Sequence, residues 1–193
     1  MNTTTMGLLF AVSVCVTTVM AQTPTQTPAP PPPTLDIAGA LKVQHQNIRR
    51  YLAAAAEKMA DADYNFRPQG APPEVMTFGQ IVAHLVAANY SICAGAKPEP
   101  APKHAANDKE MQPKADLVKM LNEALAYCDA IYDAQTSATI NEMLKRPGPN
   151  NSTLERARGN ALINNLAHNN EHYGNLVTYL RAKGLVPPSS EGR

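Results

Sequence analysis

From Leu35 onward the apolar positions recur at alternating steps of four and three residues. Leu41, His45, Ile48, Leu52, Ala55 and Met59 form one such stripe, which predicts an amphipathic helix ending before Arg67-Pro68. A Gly/Pro turn region follows, and Thr77 then stands as the N-cap of a second helix whose stripe is Phe78, Ile81, Leu85, Ala88 and Ile92. Leu117, Leu121, Ala124, Cys128 and Ile131 define a third helix, reached through the polar, Pro-rich connector Lys97 to Lys114. Gln135 to Asn151 reads as a loop containing Arg146-Pro147-Gly148-Pro149. Ser152-Thr-Leu-Glu155 has the form of a capping box and predicts a long fourth helix to about Lys183, stopped by Gly184. No alternating strand pattern is found, so the class expected is all-α.

Connector length carries topology. The turn between helices one and two is moderate and predicts antiparallel neighbours. The connectors after helices two and three are each ~17 residues, where a bundle usually uses 2–8. Such lengths suit a chain crossing the bundle from end to end, leaving helices two and three parallel.

Residues before Leu35 do not follow this pattern. An uncharged apolar stretch from Met6 to Met20 closes with Val19-Met20-Ala21, which predicts a signal peptide over residues 1–21 and an exported, periplasmic or extracellular protein. At ~15 residues the stretch is short for a membrane span of about 20, so no transmembrane segment is expected after cleavage. Val14 before Cys15 is a poor fit to a lipoprotein signal. Residues 22–34, QTPTQTPAPPPPT, read as a Pro-rich, semi-rigid linker, and residues 35–190 as the folded domain.

Composition narrows the core and the partners. The chain has 44% hydrophobic residues but three Phe and no Trp, which implies an aliphatic, Ala-rich interior. With 17 basic and 16 acidic residues and a formal net charge of +1, it carries no basic run of the kind a nucleic acid partner requires. After cleavage two cysteines remain, Cys93 and Cys128. Both lie toward the C-terminal ends of their helices and would bridge if those helices are parallel neighbours. Two buried free thiols are the alternative.

The candidate chemistry lies in NNLAHNNEHYGNLVTYLRAKG. His168 and His172 stand four residues apart, on one face of a helix, and can converge on one ion. Asn169 occupies the position of the glutamate in an HExxH protease motif, and Glu171 points roughly 100° away around the helix. His84 lies about 10 Å into helix two, while His172 lies about 13 Å from the matching end of an antiparallel helix four. Three imidazoles would then surround one point and leave further coordination positions open. Asn164, Asn165, His168, Asn169, His172 and Asn175 form a polar belt between Leu162 and Leu166 on one side and Leu176 and Leu180 on the other. A buried belt of this kind needs hydrogen-bond partners, and Asn165 and Asn169 are candidates to support ligands or meet substrate. His45 is a fourth ligand, a proton shuttle or a core histidine. His104 reads as a surface residue.

YNFRPQGAPPEVMTFGQIVAHLVAANYSICA and the downstream NNLAHNNEHYGNLVTYLRAKGLVPPSS resemble the DinB/YfiT-like superfamily of metal-binding four-helix bundles, over Leu35 to Ser190. The resemblance implies an up-down-down-up bundle. It also implies a divalent metal held by one histidine of helix two and an HxxxH pair of helix four, here His84, His168 and His172. Zinc is the first expectation, with nickel, iron and manganese as alternatives. The function expected is a metal-dependent hydrolase or a thiol transferase acting on a small molecule, with Tyr173 and Asn169 near the substrate. The alternative is a non-catalytic module binding a metal or small ligand in the same cavity. Bundles commonly pair, and a homodimer is compatible with this reading.

Overall fold

The computed structural model describes Met1 and residues 35–192. The expected signal peptide, Cys15 and the Pro-rich linker lie outside the described residues. Four helices dominate: α1 (Ile37–Lys58), α2 (Phe78–Ala94), α3 (Lys114–Asp133) and α4 (Arg158–Ala182). Two short strands, β1 (Met143–Pro147) and β2 (Thr153–Ala157), stand between α3 and α4.

Local sequence explains most helix ends. Asp36 accepts from the Gly39 amide at 2.7 Å and starts α1. Thr77 and Gln80 form a reciprocal capping box on α2, with bonds of 2.8 and 3.3 Å. At the end of α4, Gly184 takes φ +74°, and the Leu185 amide returns to the Leu180 carbonyl at 2.9 Å. This is the left-handed glycine closure that a side chain would strain.

Side-chain contacts set the directions. The disulfide joins Cys93 and Cys128, with Cα atoms 5.6 Å apart, so α2 and α3 run parallel. Lys114 at the start of α3 donates to the Glu57 and Met59 carbonyls at the end of α1, so those two run antiparallel. Asn89 of α2 bonds Asn165 and Asn169 of α4, while Gly95 approaches Ala161, which makes α2 and α4 antiparallel. The order is therefore up-down-down-up. Leu52, Phe78, Leu85, Leu117, Leu121, Leu125, Leu176 and Leu180 fill the centre, each fully buried. Among the described residues no helix is long and apolar enough to cross a membrane.

Helix one stops at Lys58, before Arg67-Pro68 as expected. Two expectations are corrected. Helices one and two are not neighbours: each packs on α3 and α4, so they face one another across the bundle diagonal. Finally, Ser152–Glu155 is no capping box. Thr153–Ala157 pairs antiparallel with Met143–Pro147, Leu144 standing opposite Arg156 and Lys145 opposite Glu155. Asn150 and Asn151 turn the chain with φ of 54° and 58°, a conformation asparagine tolerates. Leu144, Leu154 and Ala157 are the half-buried apolar positions of the hairpin, too few and too unevenly spaced to produce an alternating signal. Helix α4 then begins at Arg158, after Ala157, without a side-chain cap.

Candidate metal centre

The α2 stripe that buries Phe78, Ile81 and Leu85 leaves His84 on the flank turned toward α4. On α4, His168 and His172 occupy one face, one turn apart. The three rings meet in the groove between the helices, with centroids separated by 5.1 Å (His84–His168), 4.8 Å (His84–His172) and 4.4 Å (His168–His172). One nitrogen from each lies within 4.8 Å of the others. Among the described residues no other set of three histidine, cysteine or carboxylate side chains converges in this way.

The donor set fits a divalent ion. The Nε2 atoms of His84 and His168 stand 3.1 Å apart. An ion with metal–nitrogen distances of about 2.0–2.1 Å holds neighbouring ligand nitrogens roughly 3.0–3.4 Å apart. The His84 Nδ1 faces the Asp108 carboxylate at 3.3 Å, which orients the ring and directs Nε2 to the cluster. The His172 Nδ1 lies 3.3 Å from the Asn175 amide. There the Asn175 amide nitrogen donates to the ring nitrogen, which steadies the imidazole on the exposed side of the groove. The His168 Nδ1 is buried without a protein partner. Burial, followed by the neighbouring His172 and His84, lowers the His168 pKa to about 4, against a small opposing pull from Glu171. His172 is lowered too, first by burial and then by His84. These two imidazoles are neutral at pH 7, the form that binds a metal.

The polar belt divides in two. Asn164 and Asn175 are exposed, whereas Asn165 and Asn169 are fully buried and meet a residue that sequence reasoning missed, Asn89. Asn89 and Asn169 form a reciprocal amide pair with two bonds of 3.0 Å. Asn165 donates to the Asn89 oxygen at 3.0 Å and accepts from the Tyr132 hydroxyl at 3.1 Å. This network fixes the register of α4 against α2 directly behind His168. Asn169 is thus an interior support and not a substrate contact. Asp108 was also missed, because its polar connector reads as surface. An asparagine within the apolar stripe of α2 was the only signal for Asn89.

Other candidates lie elsewhere. Tyr173 is buried between α1 and α4, stacked on Tyr51 at 5.4 Å, and its hydroxyl accepts from the Ser189 amide. His45 does not join the cluster. It bonds Asp129 at 2.7 Å in the α1–α3 interface and stacks on Tyr132 at 4.0 Å, a core histidine. Burial lowers its pKa despite Asp129. His104 packs beside Tyr90 on the surface. Glu171 is exposed. Beside His172 a cleft of about 260 Å³ opens, with Met76, Ile81 and Tyr179 on its walls. It is apolar enough to hold the body of a small substrate next to the histidines.

The sequence profile of the DinB superfamily matches residues 44–176. A DinB-like protein from Bacillus subtilis shares 16% identity at a TM-score of 0.58, covering 80% of this chain and 99% of that one. A DinB-like protein from Bacillus cereus ATCC 10987 shares 17% identity at a TM-score of 0.61, covering 80% and 97%. At these identities the likeness concerns the fold. No curated protein matches the chain.

Proposed function

The chain belongs to the DinB superfamily, and from that premise we propose that it is an exported protein that binds one divalent metal ion through His84, His168 and His172. The observation that carries this reading is the approach of three ligand nitrogens to within 4.8 Å of one another, from two helices. Zinc is the ion we favour, since imidazole ligation at short distances suits it. Three protein ligands leave room for a substrate, so we further propose a metal-dependent hydrolase acting on a small molecule. A transferase is the second form of the same chemistry.

When bound, the ion would polarise a substrate oxygen and activate a nucleophile at neutral pH. The protein's own side chains have separate tasks. Asp108 orients His84, the Asn89–Asn165–Asn169 network holds His168 in place, and the cleft beside His172 receives the substrate's apolar part. Export is supported by the apolar stretch Met6 to Met20 closed by Ala21. It is also supported by the Cys93–Cys128 bridge, which suits an oxidising compartment. That compartment lacks the low-molecular-weight thiols of the cytosol and favours hydrolysis over thiol transfer.

Elemental analysis of untagged protein purified from the periplasm tests the centre. About one ion per chain is expected, lost in a His84/His168/His172→Ala triple variant that stays folded. Protein that takes up no ion even on reconstitution would overturn the reading. A metal-loaded protein that turns over no ester, amide or thiol-transfer substrate would leave a binding module in place of an enzyme.

A further inference from the structure

The hairpin has two faces with different chemistry. Met143, Lys145 and Glu155 point to solvent, whereas Leu144, Arg146, Leu154 and Arg156 line the side toward α2 and α4. The register sets Leu144 opposite Arg156 and Arg146 opposite Leu154, so the guanidinium groups lie on a diagonal with a leucine across from each. This face does not close on the helices. A cleft of about 300 Å³ remains, walled on the helix side by Ser91, Ile92 and Asn164. Its size is that of about ten liquid waters, or a ligand of about ten heavy atoms.

The arginines of this region are not equally satisfied. Arg158 is paired with Glu142 and donates to the Ala96 and Thr139 carbonyls. Arg146 donates one Nη1–H to the Ala94 carbonyl at 2.8 Å, which pins its guanidinium at the rim of the cleft. Among the described residues no carboxylate pairs with Arg146 or Arg156, and the Arg156 guanidinium has no hydrogen bond to the protein. Each guanidinium carries five donors in a planar fork suited to a carboxylate or phosphate. A half-buried cation, Arg146, and an exposed one, Arg156, thus line open space beside two leucines, with donors to spare for an anion.

We propose that this cleft binds an amphipathic organic anion, its carboxylate or phosphate head between Arg146 and Arg156 and its body along Leu144, Leu154 and Ile92. Ser91 and Asn164 supply neutral hydrogen bonds at the helix wall. Asn164 lies one turn before His168, about 6 Å along the α4 axis. The cleft therefore continues the groove that holds the histidines. Its occupancy needs no metal, so the failure of the metal reading would not touch it.

Titration of the metal-free full chain with octanoate, followed by calorimetry, tests the site. Octanol and inorganic phosphate serve as the apolar and anionic halves of the ligand. Octanoate is expected to bind at about 1 mM or tighter, with octanol and phosphate each at least tenfold weaker. Arg156→Gln should weaken octanoate about tenfold, the effect of one lost charge-assisted contact. Since the Arg156 guanidinium has no partner in the fold, this variant stays folded. Arg146→Lys should weaken it as well, and His84→Ala should leave it unchanged. No binding of octanoate, octanol binding as tightly, phosphate binding in its place, or full affinity in Arg156→Gln would each overturn the proposal.

Discussion

Asn89 is the residue on which the interior behind the histidines turns, and replacing it by alanine makes the arrangement measurable. Its amide donates to the Leu85 carbonyl at 2.8 Å and to Asn169 at 3.0 Å. It accepts from Asn165 and from Asn169, both at 3.0 Å. Truncation leaves the Asn165 amide nitrogen and the Asn169 amide oxygen without another protein partner, in a region where all three residues are 0% exposed. A buried group stranded in this way costs about 1–3 kcal/mol, so two cost about 2–6. A water entering the space left by the side chain recovers part of this, and we expect Asn89→Ala to lower stability by about 2–4 kcal/mol. Urea unfolding of the chelator-treated protein reads this directly, without the added stability a bound ion would supply. The same logic predicts strong coupling. Asn169→Ala alone should cost less, because Asn89 keeps the Leu85 carbonyl and the Asn165 amide, and the Asn89/Asn169 double variant should cost less than the sum, since it no longer strands the Asn169 oxygen. A loss below about 0.5 kcal/mol for Asn89→Ala, or strict additivity in the cycle, would refute the network as a structural element.

The remaining predictions concern the site and the bridge. Asp108→Ala should lower zinc affinity about 10–100-fold by releasing the His84 ring, as competition with a chromophoric chelator would report. Metal-free protein should lose stability in acid. The His168 pKa falls from 6.5 in the unfolded chain to about 4 in the fold, so the unfolded state binds more protons between those values. Its contribution is complete above pH 6.5 and lost progressively toward pH 4, about 1–2 kcal/mol after discounting for partial exposure. His172 and His45 act in the same direction, and a His168→Ala variant should flatten the profile of urea midpoint against pH. The bridge closes a separation of 35 residues, so Cys93→Ser/Cys128→Ser should cost about 3–4 kcal/mol. Thiol titration of denatured, unreduced protein should find neither cysteine free.

The amino-acid pattern alone determined four amphipathic helices, the Thr77 cap, the Gly184 stop and the three histidines that converge. These are legible because helical periodicity and capping are local rules, and because a pair of histidines four residues apart must share a helix face whatever surrounds them. The long connectors even implied that α2 and α3 run parallel, the condition under which Cys93 and Cys128 could bridge. Tertiary structure decided the rest. A short hairpin replaced the expected start of helix four, because pairing with Met143–Pro147 outcompeted a local capping signature. The diagonal placement of α1 and α2 follows from which apolar stripes bury against α3 and α4, a choice no single stripe contains. Asp108 and Asn89 became parts of the site only when a connector folded back over α2 and an asparagine of α2 met two of α4. Hydrogen-bond partners distant in sequence leave no periodic trace, so their roles appear only where packing brings them within bonding distance.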